Sequence, residues 1–384
     1  MANLKVNTVS GIGTEGTVFD GGLKFRSKNY LTLPKGTTTE RTATSSGIST
    51  ETGSIRYNTD SNKMECYVGS KWMQVAVSTP NLDGGARGIV AGGNPSQNTI
   101  NFFTISTQGD AQDFGDLTQN ATLCSTGGSH VRALTMIGTT SHSNAIEFIT
   151  ISSTGDALDF GDIGGTNRRN VSCTGSRTRM LICGGVYGSN PYSYKNEIDF
   201  VTISQTGNSQ DFGDLTLGRT NPFAMSSPTR SVLGGGYYGS SPNGTNILDF
   251  VTIATTGNAQ DFGDLIEAQN GPGSASCSSS TRGLTFGGRN ISSTTLSRIE
   301  KIEIASKGNS TKFGDLTETV RFASGTSSKT RGVRIGGYEV PANADQSTMD
   351  YVQIATEGDA VLFGSLGRST RSMGTSTSND HGGL

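Results

Sequence analysis

A pattern of about 50 residues recurs six times along the chain, and it constrains the fold more than any other feature of the sequence. Each copy carries a Phe-Gly pair, and the six phenylalanines are spaced by 46, 52, 50, 51 and 50 residues. A fixed period of this size is typical of repeat proteins, in which each repeat is one supersecondary unit. The six positions are Phe114, Phe160, Phe212, Phe262, Phe313 and Phe363.

Each period contains four strand-like segments separated by turn residues, as one blade of a β-propeller requires. In the third repeat they span residues 179–185, 198–203, 210–215 and 221–226. The second segment is apolar on both of its alternating faces, so it is predicted to lie between neighbouring blades. The chain is therefore predicted to be all-β, with a six-bladed β-propeller over residues 81–384.

Glycines mark the turns and the contacts between the predicted blades. A Gly-Asp or Gly-Asn pair, as at Gly207-Asn208, separates the second strand from the third and predicts a tight hairpin. The Phe-Gly pair that follows is predicted to place its ring between blades and to let the adjacent backbone pack closely.

The last segment of the chain supplies the strand that the first repeat lacks. The fourth-strand pattern returns a sixth time at residues 372–377, and no further repeat follows it. The first repeat begins at Arg87 without a matching strand before it. We therefore predict that residues 372–377 pair with the strand beginning at Arg87 and close the propeller, which leaves no long free sheet edge.

The repeats resemble degenerate kelch repeats over about 300 residues. The resemblance rests on a glycine pair ending a strand, on an acidic-aromatic strand after it, and on an arginine before the fourth strand, as at Arg321. The sequence departs from the kelch pattern in having Phe where kelch blades usually carry tryptophan, and Trp72 is its single tryptophan. The glycine pairs are Gly92-Gly93, Gly184-Gly185, Gly235-Gly236, Gly287-Gly288 and Gly336-Gly337.

Residues 1–80 lack the period and are predicted to form a separate β-rich module. Two alternating strands flank a polar turn at residues 58–62, which predicts a hairpin. The run Gly-x-x-Arg-Tyr-Asn, with Arg56 and Tyr57, ends at a Gly-Ser-x-Trp turn with Trp72. This run resembles a segment common in tail-fibre and other structural proteins of tailed bacteriophages. The resemblance implies attachment to other virion proteins through residues 1–80, and a homotrimer.

Three further segments of this module carry weaker predictions. Residues 21–25 and 30–34 are strand candidates, because apolar residues alternate there. Residues 36–50 are rich in Thr and Ser and are predicted to be a loop or an extended arm.

Composition excludes several classes of partner. The formal net charge is -2 and only 16% of the residues are charged, so binding to a nucleic-acid backbone is not expected. No stretch is long and apolar enough to predict insertion into a membrane. Nothing near Met1 resembles a secretory signal, which predicts synthesis in a host cytoplasm and, with the resemblance above, a place in the virion.

No constellation of residues predicts catalysis, a metal site or a cofactor. His130, His142 and His381 stand in unrelated contexts, and the five cysteines lack ligand spacing. Cys124, Cys173 and Cys277 are predicted to be small buried thiols. Asp60 and Asn62 have the alternation of a calcium loop but lack its further acidic ligands, so a polar hairpin tip is preferred.

An arginine opens the strand before the glycine pair in every repeat. We expect each to pair with a carboxylate such as Asp116, Asp162, Asp214, Asp264 or Asp315, because residues repeated in every unit are usually architectural. The alternative is a site for an anion or an acidic glycan. The arginines are Arg87, Arg132, Arg179, Arg230, Arg282 and Arg331.

Loops that break the repeat are the better candidates for ligand contacts, because binding residues tend to lie in variable loops on a rigid scaffold. The longest insertions follow the glycine pairs of the third and fourth repeats, and tyrosine with Ser, Gly and Asn suits sugar stacking. The alternative is that these tyrosines cover loop backbone or pack on a neighbouring subunit. The candidates are Tyr187, Tyr192, Tyr194, Tyr237, Tyr238 and Asn243.

Three functions remain open on the sequence. The first is a non-enzymatic tail-fibre or adhesin-type subunit that presents the propeller to a host surface glycan or receptor. The second is a capsid decoration or head-fibre protein that binds no receptor. The third is an enzyme acting on glycans, which lacks a recognisable catalytic set.

Overall fold

A computed structural model of the protein describes residues 33–42, 52–61, 63–75, 86–138, 143–165, 167–189, 192–239, 243–269, 275–371 and 376–384. Within these residues the structure is all-β: strands in several small sheets, one short 3-10 helix and no α-helix. No helical segment of the described residues has the length and apolar character needed to cross a bilayer. The chain divides into two compact units, Met1–Pro80 and Asn81–Leu384.

The first unit contains one four-stranded sheet. The predicted hairpin is confirmed, because β2 and β3 pair antiparallel around a turn in which the Asn58 side chain accepts the backbone N–H groups of Asp60 and Ser61. The elements are β1 Lys35–Gly36, a 3-10 helix Thr39–Thr42, β2 Ile55–Asn58, β3 Lys63–Val68 and β4 Lys71–Gln74.

The segment predicted as a loop, residues 36–50, is ordered over its first part. Strand β1 pairs in parallel with β2, and the 3-10 helix follows it. Arg41 in that helix forms an ion pair with the buried Glu65, whose pKa it lowers by donating hydrogen bonds. The prediction of a loop or an extended arm was therefore wrong at Gly36 and at Thr39–Thr42, because a long-range ion pair fixes a stretch without apolar periodicity. Residues 43–50, the strand candidate 21–25 and most of the candidate 30–34 lie outside the described residues.

The described residues of the second unit form six similar antiparallel sheets and one two-stranded ribbon, β14 with β15. We number the sheets one to six in chain order. Their strands are β5 Arg87–Ala91, β6 Gln97–Thr104, β7 Gln112–Ala121, β8 Ser125–Gly128, β9 Arg132–Met136, β10 Ala145–Thr150, β11 Leu158–Asp162, β12 Ser172–Gly175, β13 Arg179–Cys183, β14 Val186–Tyr187, β15 Ser193–Tyr194, β16 Glu197–Thr202, β17 Gln210–Asp214, β18 Phe223–Ser226, β19 Arg230–Gly234, β20 Thr245–Thr252, β21 Gln260–Gln269, β22 Ala275–Ser278, β23 Arg282–Phe286, β24 Arg298–Glu303, β25 Thr311–Asp315, β26 Val320–Arg321, β27 Ser324–Ser327, β28 Arg331–Glu339, β29 Ala344–Gln353, β30 Val361–Ser365 and β31 Thr377–Ser378.

The six sheets are assembled across the repeat boundaries. Sheets two to five have the orders β8-β9-β10-β11, β12-β13-β16-β17, β18-β19-β20-β21 and β22-β23-β24-β25, and sheet six has β27-β28-β29-β30 with β26 also on β28. The segment counted as the fourth of each repeat is thus the first strand of the next sheet. In the third repeat that strand begins at Phe223 rather than at residue 221, because Asn221 adopts a left-handed conformation with φ 51°.

The last strand pairs with the first sheet. Strand β31 lies antiparallel to β5, with Thr377 opposite Ile89 and Ser378 opposite Gly88, so sheet one has the order β31-β5-β6-β7. The pairing follows the prediction, but the described strand spans two residues rather than 372–377. Residues 372–375 lie outside the described part of the chain.

The apolar core is divided among the interfaces between sheets. Strand β16 is buried on both faces as predicted: Ile198 and Phe200 pack with residues of sheet four, whereas Val201 and Ile203 pack with residues of sheet two. An equivalent cluster joins sheet six to sheet one, with Val333 and Phe103 among its members. Each sheet therefore has apolar contacts with two others, and sheet six is followed by sheet one.

The glycine of each Phe-Gly pair lies against the turn of the next sheet, as predicted. A Cβ on Gly115 would lie 2.4 Å from the carbonyl oxygen of Gly155. The next residue of the turn, Asp156, accepts a hydrogen bond of 3.0 Å from the backbone N–H of Asp116. The contact recurs between sheets six and one, where a Cβ on Gly364 would lie 2.2 Å from the oxygen of Gly109.

The predicted pairing of the repeated arginines with carboxylates is confirmed for Arg282, whose Nε donates to Glu303 at 2.8 Å, and was wrong for the other five, whose described side-chain polar contacts are with carbonyl oxygens. Arg87 donates from Nη1 to the carbonyl oxygens of Ile151 and Ser152, at 3.0 and 3.1 Å, in the turn of sheet two. The turn leaves these oxygens without strand partners, and a planar guanidinium can reach both of them. Each arginine reaches the following sheet in this way, and Arg331 of sheet six reaches sheet one: Arg132, Arg179, Arg230, Arg282 and Arg331.

Replacement of Gly364 by alanine is expected to lower the free energy of unfolding by about 1–3 kcal/mol, because the new methyl group would overlap backbone that cannot move aside. Chemical denaturation of the full chain would measure the change. The control is Leu362→Ala on the same strand, where the side chain is exposed and the expected change is below about 0.5 kcal/mol. Equal effects of the two substitutions would contradict this contact between sheets six and one.

Candidate functional site

The first strands of the six sheets, which we call the cavity strands, surround one small cavity. They are β31, β8, β12, β18, β22 and β27. Serine hydroxyls link them, as where Ser278 donates to the carbonyl oxygen of Ser226 and Ser327 to that of Ser278, both at 2.7 Å. The cavity measures about 30 Å³, which is room for no more than a few water molecules. It is too small to hold a sugar.

The segment 379–384 packs beside this cavity. His381 is buried, its Nε2 lies 2.9 Å from the carbonyl oxygen of Gly128, and its Nδ1 accepts the backbone N–H of Gly383 at 3.1 Å. These two bonds fit the neutral tautomer with the proton on Nε2. Burial lowers the pKa of His381 to about 4, against the opposing effects of the Gly128 hydrogen bond and the Asp380 charge.

The cysteines of the second unit are buried free thiols, as predicted for three of them. Burial raises the pKa of Cys124 and Cys173 to about 12 and raises that of Cys183 and Cys277 as well. Because the thiolate is the reactive form, these side chains are suited to packing rather than to nucleophilic or redox chemistry.

Buried ion pairs lie at the side of the sheets from which the variable loops emerge, and the sequence analysis missed them. Arg219 Nη2 lies 2.7 Å from Asp249 Oδ2, and both side chains are fully buried. Arg168 and Asp199 form a similar pair at 2.5 Å, and Arg334 pairs with Asp350. The signal available in the sequence was a polar residue at one position in the second strand of every repeat, followed by an aromatic residue in all repeats but the fifth, where Lys301 follows: Asn101, Glu147, Asp199, Asp249, Glu300 and Asp350.

Three of the six predicted ligand-contact residues come together with an arginine, and we call this group the tyrosine cluster: Arg169, Tyr192, Tyr194 and Tyr237. The Arg169 guanidinium lies 5.6 Å from the centroid of the Tyr192 ring. The rings of Tyr194 and Tyr237 are edge-to-face at 6.0 Å. Burial raises the pKa of Tyr237, and the nearby Tyr194 and Tyr192 add to this effect while Arg169 opposes it.

The tyrosine cluster joins loops of two neighbouring sheets. The hydroxyl of Tyr194, in the loop of sheet three, donates to the carbonyl oxygen of Gly239 in the loop of sheet four at 2.7 Å. Thr220 and Tyr237 form a backbone bridge beneath it. Tyr192 remains 43% exposed, so part of its ring faces solvent, while the hydrogen bond between Tyr194 and Gly239 holds the two loops together.

The other three candidates are exposed and lie outside this cluster. Tyr187 in β14 and Tyr238 are 46% and 41% exposed, and Asn243 is exposed as well. The backbone of Asn243 accepts the N–H of Tyr238 at 3.0 Å, which closes the loop of sheet four. Sequence reasoning missed Arg169, because arginines recur in the loops and no pattern distinguishes it from the buried Arg168 beside it.

In the first unit the structure brings together two of the three predicted attachment residues. Arg56 lies with its guanidinium 5.7 Å from the Trp72 ring and donates to the carbonyl oxygen of Thr37 at 2.9 Å. Tyr57 follows Arg56 in β2, so alternation places it on the opposite face of the sheet. The ring of Tyr67 packs on Trp72 at 5.3 Å.

Metal ligands are not clustered in the part of the chain that the structure describes: no group of three or more His, Cys, Asp or Glu side chains is arranged to hold an ion. At the tip of the first hairpin, Asp60 Oδ2 accepts the backbone N–H of Thr38 at 2.8 Å. Its proposed calcium-loop companion, Asn62, lies outside the described residues.

Comparison with known proteins yields a similarity of fold only. No family model matches the chain, and no curated protein matches it. A solved structure titled "Structure of YjhT" superposes with a TM-score of 0.53 and 10% sequence identity, over 66% of this chain and 87% of that chain. At this identity the similarity says nothing about activity or ligand.

Proposed function

We propose that the six sheets of residues 81–384 are the blades of a kelch-like six-bladed β-propeller. Three observations support the proposal: the chain of arginine contacts runs from each sheet to the next and from sheet six to sheet one, the cavity strands meet at one cavity, and β31 completes sheet one. A propeller explains why each sheet is buried on both faces.

We further propose that the protein is a non-enzymatic virion subunit of a bacteriophage, of the tail-fibre or adhesin type, that presents the loops of the propeller to a glycan or protein on the host surface. The observation that carries this proposal is the tyrosine cluster. Aromatic rings held by neighbouring residues offer large contact area at low entropic cost, and a ring face suits the apolar face of a sugar.

The first unit supports a role in attachment. Ile55, Val68 and Met73 are exposed, and the strand register places them on one face of the sheet, because Ile55 and Met73 both lie opposite Cys66. Apolar side chains grouped on one face are typical of a protein interface. We propose that this face contacts other virion proteins or further copies of the chain in a homotrimer. Light scattering of the purified protein would test the trimer, and a monomeric mass would contradict it.

The second candidate is a capsid decoration or head-fibre protein. The exposed rings of Tyr187 and Tyr238 favour it, since exposed aromatic side chains also suit contacts with a neighbouring shell protein. Immunogold labelling of intact particles with an antibody against residues 81–384 separates the two functions. Label at the tail supports the adhesin, label over the head supports decoration, and bare particles contradict a place in the virion.

Replacement of Tyr192 by alanine is expected to weaken binding to host cells or to their extracted surface polysaccharide by about 30-fold, the effect of removing a central aromatic contact of about 2 kcal/mol. The residue is 43% exposed and lies in a loop, so the fold should be unaffected. The control is Leu362→Ala, which also truncates an exposed side chain to alanine and lies in strand β30, away from the tyrosine cluster. Unchanged binding by Tyr192→Ala would contradict the adhesin, and release of products from the polysaccharide would contradict a non-enzymatic role.

A further inference from the structure

A second group of arginines and aromatic residues lies on the loops of sheets five, six and one. We call it the arginine–aromatic cluster: Arg289, Arg321, Phe322, Tyr338 and Arg371. The guanidinium of Arg321 lies 5.3 Å from the Phe322 ring centroid and 5.1 Å from that of Tyr338. Arg371 lies 5.8 and 5.2 Å from the same two rings. The guanidinium groups of Arg321 and Arg371 thus both lie close to the rings of Phe322 and Tyr338.

Backbone hydrogen bonds hold the members of this cluster side by side. Arg321 lies directly opposite Tyr338 in the pairing of β26 with β28. The N–H of Gly288, next to Arg289, donates to Val320, next to Arg321, at 2.9 Å. The N–H of Gly337, next to Tyr338, donates to Thr370, next to Arg371, at 3.0 Å. The three arginines are therefore brought together by the sheets themselves and not by flexible side chains alone.

Too few carboxylates accompany these cations. Arg371 lies 3.6 Å from Asp345, but neither Arg289 nor Arg321 has an ion pair or a side-chain hydrogen bond to a described residue. The Nε atoms of Arg289 and Arg321 are buried without a partner in the described part of the chain. By contrast, the loop arginines Arg168 and Arg219 each have a carboxylate within 2.7 Å.

The positive charges of the arginine–aromatic cluster repel one another. Burial lowers the pKa of Arg321, the charges of Arg289 and Arg371 lower it further, and only Tyr338 opposes them. Like charges brought together in a partly buried place repel, and a bound anion relieves that repulsion. With the Asn94 amide oriented so that its oxygen faces the guanidinium, Arg371 donates to it from Nε and Nη2 at 2.9 and 3.2 Å. Arg289 and Arg321 are therefore left to supply most of the N–H groups for a ligand.

Backbone strain marks the same place. Phe322 has φ 58°, a left-handed conformation in which a bulky side chain is rare. Asn170 and Asn221, which also stand two residues before a cavity strand, have φ 59° and 51° there, and asparagine tolerates this conformation. In sheet six an aromatic residue that contacts two arginines therefore stands where sheets three and four carry asparagine. Backbone strain of this kind is concentrated at functional sites.

We propose that Arg289, Arg321 and Arg371 form a binding site for an oxyanion, the carboxylate of an acidic sugar or a phosphate group. Guanidinium groups bind both through paired N–H donors. This site is separate from the tyrosine cluster and does not depend on the proposed adhesin function, because a free anion can occupy it.

The test uses the full-length protein with three sodium salts at equal ionic strength: phosphate, glucuronate and chloride. We expect phosphate or glucuronate to raise the thermal unfolding midpoint above that in chloride, and calorimetric titration to give a dissociation constant. Arg321→Gln should weaken that binding at least tenfold, as loss of a charged hydrogen-bonding group does. Lys312→Gln, which removes an exposed cation bound to Asp315, should leave the binding unchanged.

The outcomes separate the ligand sources and the two proposals. A response to glucuronate alone indicates an acidic sugar, and a response to phosphate alone indicates a phosphate group. No response to either anion, or an equal response in Arg321→Gln, overturns the site. If Arg321→Gln fails to fold, Arg289→Gln gives the same test from another loop. Tyr192→Ala should keep the anion response, so failure of the adhesin proposal remains distinguishable.

Discussion

Replacement of Arg219 by alanine is expected to lower the free energy of unfolding by about 3–5 kcal/mol, because it leaves the carboxylate of Asp249 buried without its cation. Both side chains have no exposed surface, and Arg219 also donates to the carbonyl oxygens of Ile247 and Leu233. Burial lowers the pKa of Arg219, whereas the charge of Asp249 raises it. Each buried charge is therefore stabilised by the other. Urea denaturation of the two proteins would measure the change.

Two comparisons distinguish this loss from a loss of packing. Replacing both partners together, Arg219→Met with Asp249→Leu, is expected to recover part of the stability, because no buried charge remains. The recovery is incomplete because Asp249 also accepts the hydroxyl of Thr216 at 2.7 Å. Lys312→Ala breaks an exposed ion pair with Asp315 and should cost no more than about 1 kcal/mol. A double variant no more stable than Arg219→Ala would contradict the electrostatic explanation.

The regular part of the second unit could be predicted because each element leaves a periodic mark in the sequence. Apolar residues on both faces of 198–203 indicated a strand between two sheets, and the clusters around Phe200 and Val201 lie there. The Phe-Gly pair indicated a close approach of backbone, and Gly115 meets the turn at Gly155. The pairing of β31 with β5 followed from counting strands alone.

The partners of the repeated arginines could not be predicted in the same way. A guanidinium can donate to a carboxylate or to a carbonyl oxygen, and a carbonyl oxygen leaves no mark in the sequence, since every residue has one. The partners of the adjacent residues Arg168 and Arg169 could not be predicted for the same reason. The first reaches the buried Asp199, whereas the second lies against the Tyr192 ring, and only the course of the loop decides between them.

For the candidate site, the sequence predicted which residue types contribute but not how they are arranged in space. Tyrosines in the long insertions were selected because those insertions break the repeat, and Tyr192, Tyr194 and Tyr237 do come together. Tyr187 and Tyr238 satisfied the same criterion but lie outside the cluster. The arginine–aromatic cluster was missed because Arg321, in strand β26, fits the repeat pattern of an arginine before the fourth strand, and nothing in the sequence set it or Arg371 apart.

His381 makes the stability of the second unit sensitive to acid in a window set by its pKa. The folded chain holds the imidazole neutral with a pKa of about 4, whereas the unfolded chain has the ordinary value of 6.5. Between these values the unfolded state binds a proton that the folded state excludes, so stability falls as the pH falls. The stabilisation is complete above pH 6.5, and protonation below about pH 4 removes about 3 kcal/mol.

The pH profile of unfolding should therefore differ between the wild type and His381→Gln. Other groups titrate as well, but they are common to both proteins, so the difference in unfolding free energy between the two isolates the imidazole. We expect the stability advantage of the wild type to shrink as the pH is lowered from 7 to 4, because glutamine can donate to Gly128 without titrating. His130 is exposed, and His130→Gln should reproduce the wild-type profile. Parallel profiles of wild type and His381→Gln would mean that His381 accepts a proton without leaving its place, contrary to the two hydrogen bonds that fix its neutral form.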